Sequence, residues 1–192
     1  MIFVILAGAP GSGKSTHSKL IKEKTDFVHI SSGDIFRQEA EKNTELGLLA
    51  KSLIDKGNFI PDDIICNIIE NIIKDSNQNT KYILDGFPRN LNQAIKFNEI
   101  LQKQNLKINV FINLNVTEEN LIQRLTKRGI DSNREDDANA EIIKRRIKLY
   151  KDKTQIINNF YQNNTNFFTI DGNKRIEEVH KEIYEIILRN LY

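Results

Sequence analysis

Residues Gly8 to Ser15 read GAPGSGKS and stand directly behind the apolar run Ile2-Phe3-Val4-Ile5-Leu6. A glycine, four residues and then Gly-Lys-Ser is the spacing of a P-loop, in which a tight glycine-bearing turn aims successive backbone N–H groups at a phosphate. The helix that follows adds its unpaired N-terminal donors to the same anion. On this spacing Lys14 reaches the outer phosphates, and Ser15 or Thr16 faces Mg²⁺ directly or through water. A glycine-rich turn that merely happened to carry a lysine would need neither the strand before it nor the helical run after it, and both are present.

Outward from that loop, residues 2–7 are apolar throughout, as a strand covered on both faces must be. Residues 14–24 read as a helix with Leu20 and Ile21 on one side. A short strand at Val28-His29-Ile30 stops at Ser31-Ser32-Gly33-Asp34, small and acidic residues suited to cap a helix that begins near Ile35. Helical patterning then continues to about Asn77, with Leu46, Leu49 and Leu53 on one face before Gly57. Pro61 with Asp62-Asp63 starts a further helix, striped by Ile64/Ile65, Ile68/Ile69 and Ile72/Ile73. Strands at Tyr82–Leu84, Val110–Leu114 and Phe167–Ile170 alternate with helices at about 91–104, 118–128, 137–161 and 176–191. Residues 129–136 have no apolar periodicity and are expected to form a short exposed loop. Alternation of this kind behind a P-loop predicts an α/β sandwich with a mainly parallel sheet.

The chain has 192 residues, enough for one domain with a substantial core. Its 28 basic and 26 acidic residues leave a net charge of +2, so global charge gives no reason to expect nucleic acid or a membrane surface as partner. The single cysteine, Cys66, excludes an intrachain disulfide and a cysteine zinc cluster. No apolar run approaches membrane-spanning length and no signal sequence is visible, so a cytoplasmic location is expected.

Asp85 ends an apolar strand on the same expected sheet edge as the P-loop, where a carboxylate can hold Mg²⁺ through water. Arg37, Arg89, Arg124, Arg128, Arg134 and Arg145 each stand beside a predicted loop, strand end or helix edge. Guanidinium forks grip phosphate well, because they stay charged when desolvated and donate paired hydrogen bonds. An isolated surface ion pair would contribute only about 0–1 kcal/mol. Periodicity does not tell which of these arginines converge.

Several motifs in fixed order now bear on that question: GAPGSGKST (8–16), SSGDIFR (31–37), DKGNFIPDD (55–63), DGFPRNLNQA (85–94), QRLTKRG (123–129), NREDD (133–137) and RRIKLY (145–150). Through them the chain resembles the adenylate kinases with a short lid, within the nucleoside monophosphate kinases, from Ile2 to the final helix. The resemblance implies a P-loop three-layer sandwich with a five-stranded parallel sheet of order 2-3-1-4-5. It further implies one domain, with a core of residues 1–30, 61–128 and 138–192, a helical NMP-binding insert at about 31–60 and a lid at about 129–137. The implied reaction is reversible phosphoryl transfer from MgATP to AMP giving two ADP, in a monomer.

Carried onto these positions, the resemblance assigns the ATP phosphates to Gly8, Ala9, Pro10, Gly11, Ser12, Gly13, Lys14, Ser15 and Thr16. Arg128, Arg134 and Arg145 would close on the transferring group, and Arg124 would lie against the ATP base. Counting from Asp136-Asp137 selects Arg145, whereas counting back from Tyr150 selects Arg146; both remain open here. Arg37 and Arg89 would hold the AMP phosphate, beside Gly33 and Gly86, while Ser32, Phe59, Ile60 and Gln93 surround its base. Mg²⁺ would sit near Ser15 and Asp85, and Asp136 and Asp137 would help the lid shut.

Three positions depart from the family pattern. Ser15 replaces a usual glycine, His17 a common glutamine, and Ser32 a usual threonine. His17, His29 and His180 read as ordinary helix and strand residues. Gln93 favours AMP, since a side-chain amide can bond both donor and acceptor atoms of the adenine edge. A UMP/CMP kinase, which commonly has asparagine there, and a non-catalytic nucleotide-binding regulator of the same fold are the alternatives.

Overall fold

Strand β1 (Ile2–Gly8) is the middle of the molecule, and its pleat explains why it is apolar at every position. Phe3 and Ile5 point to one face and Val4 and Leu6 to the other, each no more than 1% exposed. The computed structural model describes residues 1–42, 44–132 and 134–191. Five parallel strands, β1 with β2 (Phe27–Ser31), β3 (Lys81–Asp85), β4 (Val110–Asn115) and β5 (Asn166–Asp171), form one sheet of order 2-3-1-4-5. The register pairs Leu6 and Ser31 with Asp85, and Gly8 with Leu114. The carboxyl ends of the strands therefore lie along one edge, where loops of an open α/β sheet meet ligands.

Helices cover both faces. One core joins Phe3, Tyr82, Phe97 and Phe111 to α4 (Asp62–Lys74) and α5 (Leu91–Gln102). The opposite core joins Val4, Ile83 and Ile112 to α1 (Lys14–Lys24) and to Ile183 and Ile187 of a C-terminal helix at Ile176–Leu191. The isoleucine stripe of α4 is buried as its spacing requires, with Ile65, Ile69 and Ile73 each at most 3% exposed. Buried Cys66 sits in the same stripe, and burial pushes its thiol up to about 11. Between β2 and α4 stand α2 (Ser32–Glu41) and α3 (Glu45–Asp55), the latter ended by Gly57 at φ +69. Among the described residues, no helix is long and apolar enough to cross a membrane.

Two expectations change after β4. The stretch read as an exposed loop is mostly helical: α6 (Glu118–Ser132) runs past Gly129, and a one-turn α7 (Glu135–Ala138) follows. Asn133 of the NREDD motif lies outside the described residues. Asp136 and Asp137 are buried, at 5% and 1% exposure, because arginines surround them, an arrangement that apolar periodicity cannot register. The second change concerns the single helix expected over 137–161. It is instead α8 (Ala140–Leu149), a π-helical turn at Tyr150–Thr154, and α9 (Ile156–Gln162). Asn139 is extended and caps α8, its side-chain oxygen accepting from Glu141 N at 2.8 Å. At the π turn, Thr154 Oγ1 donates to the Arg89 carbonyl at 2.6 Å and ties this segment to the loop after β3.

Candidate active site

The loop after β1 folds as its glycines demand. Gly13 caps α1 in the left-handed region at φ 100, with no side chain covering the leading N–H groups of the helix, and Ser12 N donates to Ala9 O at 3.1 Å to close the turn. Lys14 bends back over this loop, donating to the carbonyls of Gly8 at 2.8 Å and Ala9 at 2.9 Å and to Ser12 Oγ at 3.4 Å. Burial pulls its ammonium down to about 8; Asp85 opposes the shift, while Arg89, Arg128 and Arg146 add to it. His17, one turn further on, is buried and stacks on His180 with ring centroids 6.1 Å apart. Burial and those neighbouring groups lower its pKa to about 4, so it is neutral.

Across the sheet edge, Asp85 ends β3, 6% exposed, with His29 Nε2 at 3.8 Å from its Oδ2. The next residue, Gly86, has φ +74, and a Cβ there would lie 2.8 Å from Ser32 Oγ and 3.0 Å from an Arg89 nitrogen. Only glycine lets those two groups meet above the turn. Ser32 Oγ donates to Gly86 O at 2.6 Å and accepts from Arg89 Nη2 at 3.1 Å, while Arg89 Nε donates to Gly86 O at 2.6 Å. The Arg89 guanidinium lies 5.6 Å from the centre of the Phe59 ring, and burial, helped by Arg146, lowers its pKa to about 10. Arg37 is paired with Asp34, and Arg134 Nη2 stands 3.8 Å from the same carboxylate.

The arginines of α6 and α8 are held by acids. Arg128 Nε donates to Asp137 Oδ2 at 2.5 Å, and Arg146 Nη1 donates to Asp137 Oδ1 at 2.5 Å and contacts Asp136 Oδ2 at 2.9 Å. Burial would raise the Asp137 pKa, but Arg128 and Arg146 outweigh it and hold the carboxyl below its ordinary value. Arg124 Nη2 donates to the Gly172 carbonyl at 2.8 Å, at the end of β5. These groups enclose a cleft of about 750 Å³ above the carboxyl edge of the sheet. Lys14 and seven arginines line it, together with Asp85, so the cleft is built to take multiply charged anions.

A family model described as adenylate kinase matches residues 6–166. The adenylate kinase of Flavobacterium psychrophilum is 39% identical over 97% of this chain and 98% of its own. That of Parabacteroides distasonis is 39% identical with the same coverage, and that of Fervidobacterium nodosum 33% identical over 96% of each. The chain belongs to the adenylate kinase family. It is accordingly a nucleotide-binding transferase, a kinase.

Within this adenylate kinase fold most of the expected site residues meet at the cleft: the P-loop, Ser32, Gly33, Arg37, Phe59, Ile60, Asp85, Gly86, Arg89, Gln93, Arg124, Arg128 and Arg134. Ala9 and Asp137 stand behind its wall, the first packed on Leu121 and Leu125. Arg145 is a correction. It is exposed on α8, outside the cleft, and donates to Asn58 Oδ1 at 2.8 Å, whereas Arg146 lines the cleft. Asn139, extended between α7 and α8, interrupts the helix after the acidic pair, so a count from Asp136-Asp137 does not carry onto α8, and the count from Tyr150 reaches the arginine that faces the cleft. Lys174 and Arg175, in the loop after β5, also line the cleft and were not singled out in the sequence; their place after a parallel strand was the available signal. Asp62, a helix-start acid by its place in the sequence, also accepts from Gln93 Nε2 at 2.7 Å.

Proposed function

We propose that the chain catalyses reversible phosphoryl transfer from MgATP to AMP, giving two ADP. What carries this reading is the placement of Lys14 and Arg89 on either side of Asp85 along one sheet edge, each deep in the cleft and each hydrogen-bonded to neutral partners. The P-loop N–H groups and Lys14 hold the donor phosphates, and Arg37 and Arg89 hold the acceptor phosphate. Arg128, Arg134 and Arg146 offer charge to the equatorial oxygens of the group in flight, and Arg124 lies against the donor base. The acceptor oxygen already belongs to a phosphate, so no covalent nucleophile or strong base is needed. Catalysis is positioning plus neutralisation of charge.

Asp85 and Ser15 give the cleft one carboxylate and one hydroxyl, and among the described residues no group of three or more His, Cys, Asp or Glu gathers to hold a metal. So sparse a set of hard oxygens fits an ion that keeps most of its waters and takes other ligands from phosphate, as Mg²⁺ does. When bound, Mg²⁺ neutralises charge on the phosphate oxygens. The insert at 31–60 and the lid at 129–137 are the parts we assign to closing over the nucleotides, which keeps water from the transferring group. We read the active protein as a monomer.

Coupled turnover of the purified protein with ATP and each of AMP, UMP, CMP, dCMP and GMP tests the proposal. AMP turnover with UMP near background is expected. Preferred turnover of UMP and CMP would make it a pyrimidine nucleotide kinase, and tight ATP binding without turnover of any acceptor would make it a non-catalytic binder.

A further inference from the structure

We propose that Asp62 is a specificity-determining positioning residue, fixing the Gln93 amide in the one orientation that fits a 6-amino purine and rejects a 6-oxo purine. This rests on Gln93 facing the acceptor base, as proposed above. Gln93 is 2% exposed and reaches the cleft wall from the first turn of α5. Its Oε1 accepts from the Arg89 main-chain N–H at 2.7 Å, and its Nε2 donates to Asp62 Oδ1 at 2.7 Å. A carboxylate can only accept and a main-chain N–H can only donate. Turning the amide over would set oxygen against carboxylate oxygen and N–H against N–H, both at hydrogen-bond distance in a buried place. The orientation is therefore dictated by the chemistry of its two neighbours.

An amide has two acceptor lone pairs and two N–H donors. One of each is spent on Arg89 and Asp62, which leaves one acceptor and one donor, in fixed order, for a base in the cleft. Adenine offers an amino N–H beside a bare ring nitrogen and matches that order. Hypoxanthine and guanine offer a carbonyl beside a ring N–H, the reverse order. The same distinction separates cytosine from uracil.

Asp62 is itself held in place. Asn90 Nδ2 donates to Oδ1 at 2.8 Å and Asn92 Nδ2 to Oδ2 at 2.9 Å, so three side-chain amides share one carboxylate. Partial burial would raise its pKa, but these donors and Lys96 outweigh it, so the group stays an ionised acceptor at neutral pH. Asp62 also opens α4 and ties it to α5, and a tie of that kind would treat all acceptors alike.

The test is the ratio of kcat/KM for AMP over IMP, with UMP and CMP as further acceptors, in the wild type, Asp62→Ala, Asp62→Ser and Asp62→Asn. Alanine removes the acceptor, and serine keeps a polar residue at the start of α4 but can donate as well as accept, so in both the amide is held by the Arg89 N–H alone and turns over at the cost of that one contact. Each is expected to lower the AMP-over-IMP ratio by about tenfold or more, the scale on which an unmatched buried polar edge discriminates. Asparagine keeps an oxygen for Gln93 while exposed Asn92 can turn its own amide, so its ratio should stay within about threefold of wild type. An unchanged ratio in whichever of the alanine or serine variants folds, even with slower absolute rates, overturns the proposal. A wild type with no preference for AMP over IMP or UMP overturns the reading of the acceptor site itself.

Discussion

Lys14 and Arg89 keep their charges in one way, and Arg128 and Arg146 in another, although all four face the same cleft. The first pair is held by dipoles: carbonyls of Gly8 and Ala9 for Lys14, the Gly86 carbonyl and Ser32 hydroxyl for Arg89. Among the described residues, neither has a carboxylate within ion-pair distance. The second pair is clamped on Asp137, whose side chain is fully buried. Burial therefore lowers the pKa of Lys14 to about 8 and of Arg89 to about 10, whereas Arg128 and Arg146 hold the Asp137 carboxyl below its ordinary value. Cations short of negative charge mark where most of the negative charge of a ligand enters, and cations clamped on a carboxylate also hold the wall together while they face the cleft. One cleft thus contains sites that sacrifice stability for binding beside contacts that supply stability.

Lys14→Met should separate the two most sharply. Phosphoryl transfer is expected to fall by about 10³-fold or more, the scale of losing a charged donor to the transition state. The melting temperature should hold or rise, because a buried cation with only dipole partners is replaced by an apolar chain of similar length. Arg89→Met should behave alike, with its loss concentrated in kcat/KM for the acceptor. A melting temperature that drops in step with activity would show these groups to be structural after all.

Asp137→Ala tests the other half. Removing the carboxylate leaves Arg128 and Arg146 facing each other, and taking one partner from a buried pair costs about 3–5 kcal/mol; Arg128 is a third exposed, so about 2–3 kcal/mol is the better figure. Urea denaturation should report it as a lower midpoint. The Asp137 pKa is depressed in the fold, so its stabilisation is present above the ordinary carboxylate range and is lost as the pH falls below about 4. If Asp137→Ala were as stable as wild type at neutral pH, the clamp would carry no weight.

The under-neutralised lysine also implies two opposed pH slopes. In the fold without nucleotide Lys14 loses its proton at about 8, while an unfolded lysine keeps its proton to 10.5. Between those values the unfolded state binds more protons, so the stability of the free protein contributed by Lys14 rises with pH. Phosphate beside the ammonium restores its charge, so ATP binding takes up a proton and its affinity weakens above about pH 8, by at most about tenfold per pH unit. Calorimetric titration in buffers of different ionisation enthalpy would reveal the uptake. The Lys14→Met variant should lose both slopes.

Much of this arrangement was legible in the sequence, and the illegible parts have a common cause. The uninterrupted apolar run of β1 and the Gly-Lys-Ser spacing state directly that a two-faced strand delivers a phosphate loop to a sheet edge. Periodicity reports burial of apolar side chains and nothing else. It misses Asp136 and Asp137, which are buried because arginines meet them, and so a helical, acid-filled segment reads as an exposed loop. It also misses the π turn, anchored by polar contacts that include the Thr154 hydroxyl on the Arg89 carbonyl, and the role of Asp62, which depends on three amides brought together by α4 and α5.

The smallest expected effect comes from the residue one step away from a large one. Arg145 and Arg146 share a dipeptide, yet Arg145 points outward to Asn58 and Arg146 inward to the acidic pair, because Asn139 leaves the helical path and α8 restarts after it. An exposed neutral contact of this kind contributes about 0.5–1.5 kcal/mol at most. Arg145→Ala should therefore leave kcat/KM within about twofold of wild type, since it removes no charge from the cleft. Arg146→Ala should cut phosphoryl transfer by about 10²-fold and also lower the denaturation midpoint, as it removes a site cation and strands part of Asp137. Reversed outcomes for the two variants would mean that α8 turns by a full residue when nucleotides bind, and a crystal structure with a bisubstrate analogue in the cleft would then have to show Arg145 reaching a phosphate.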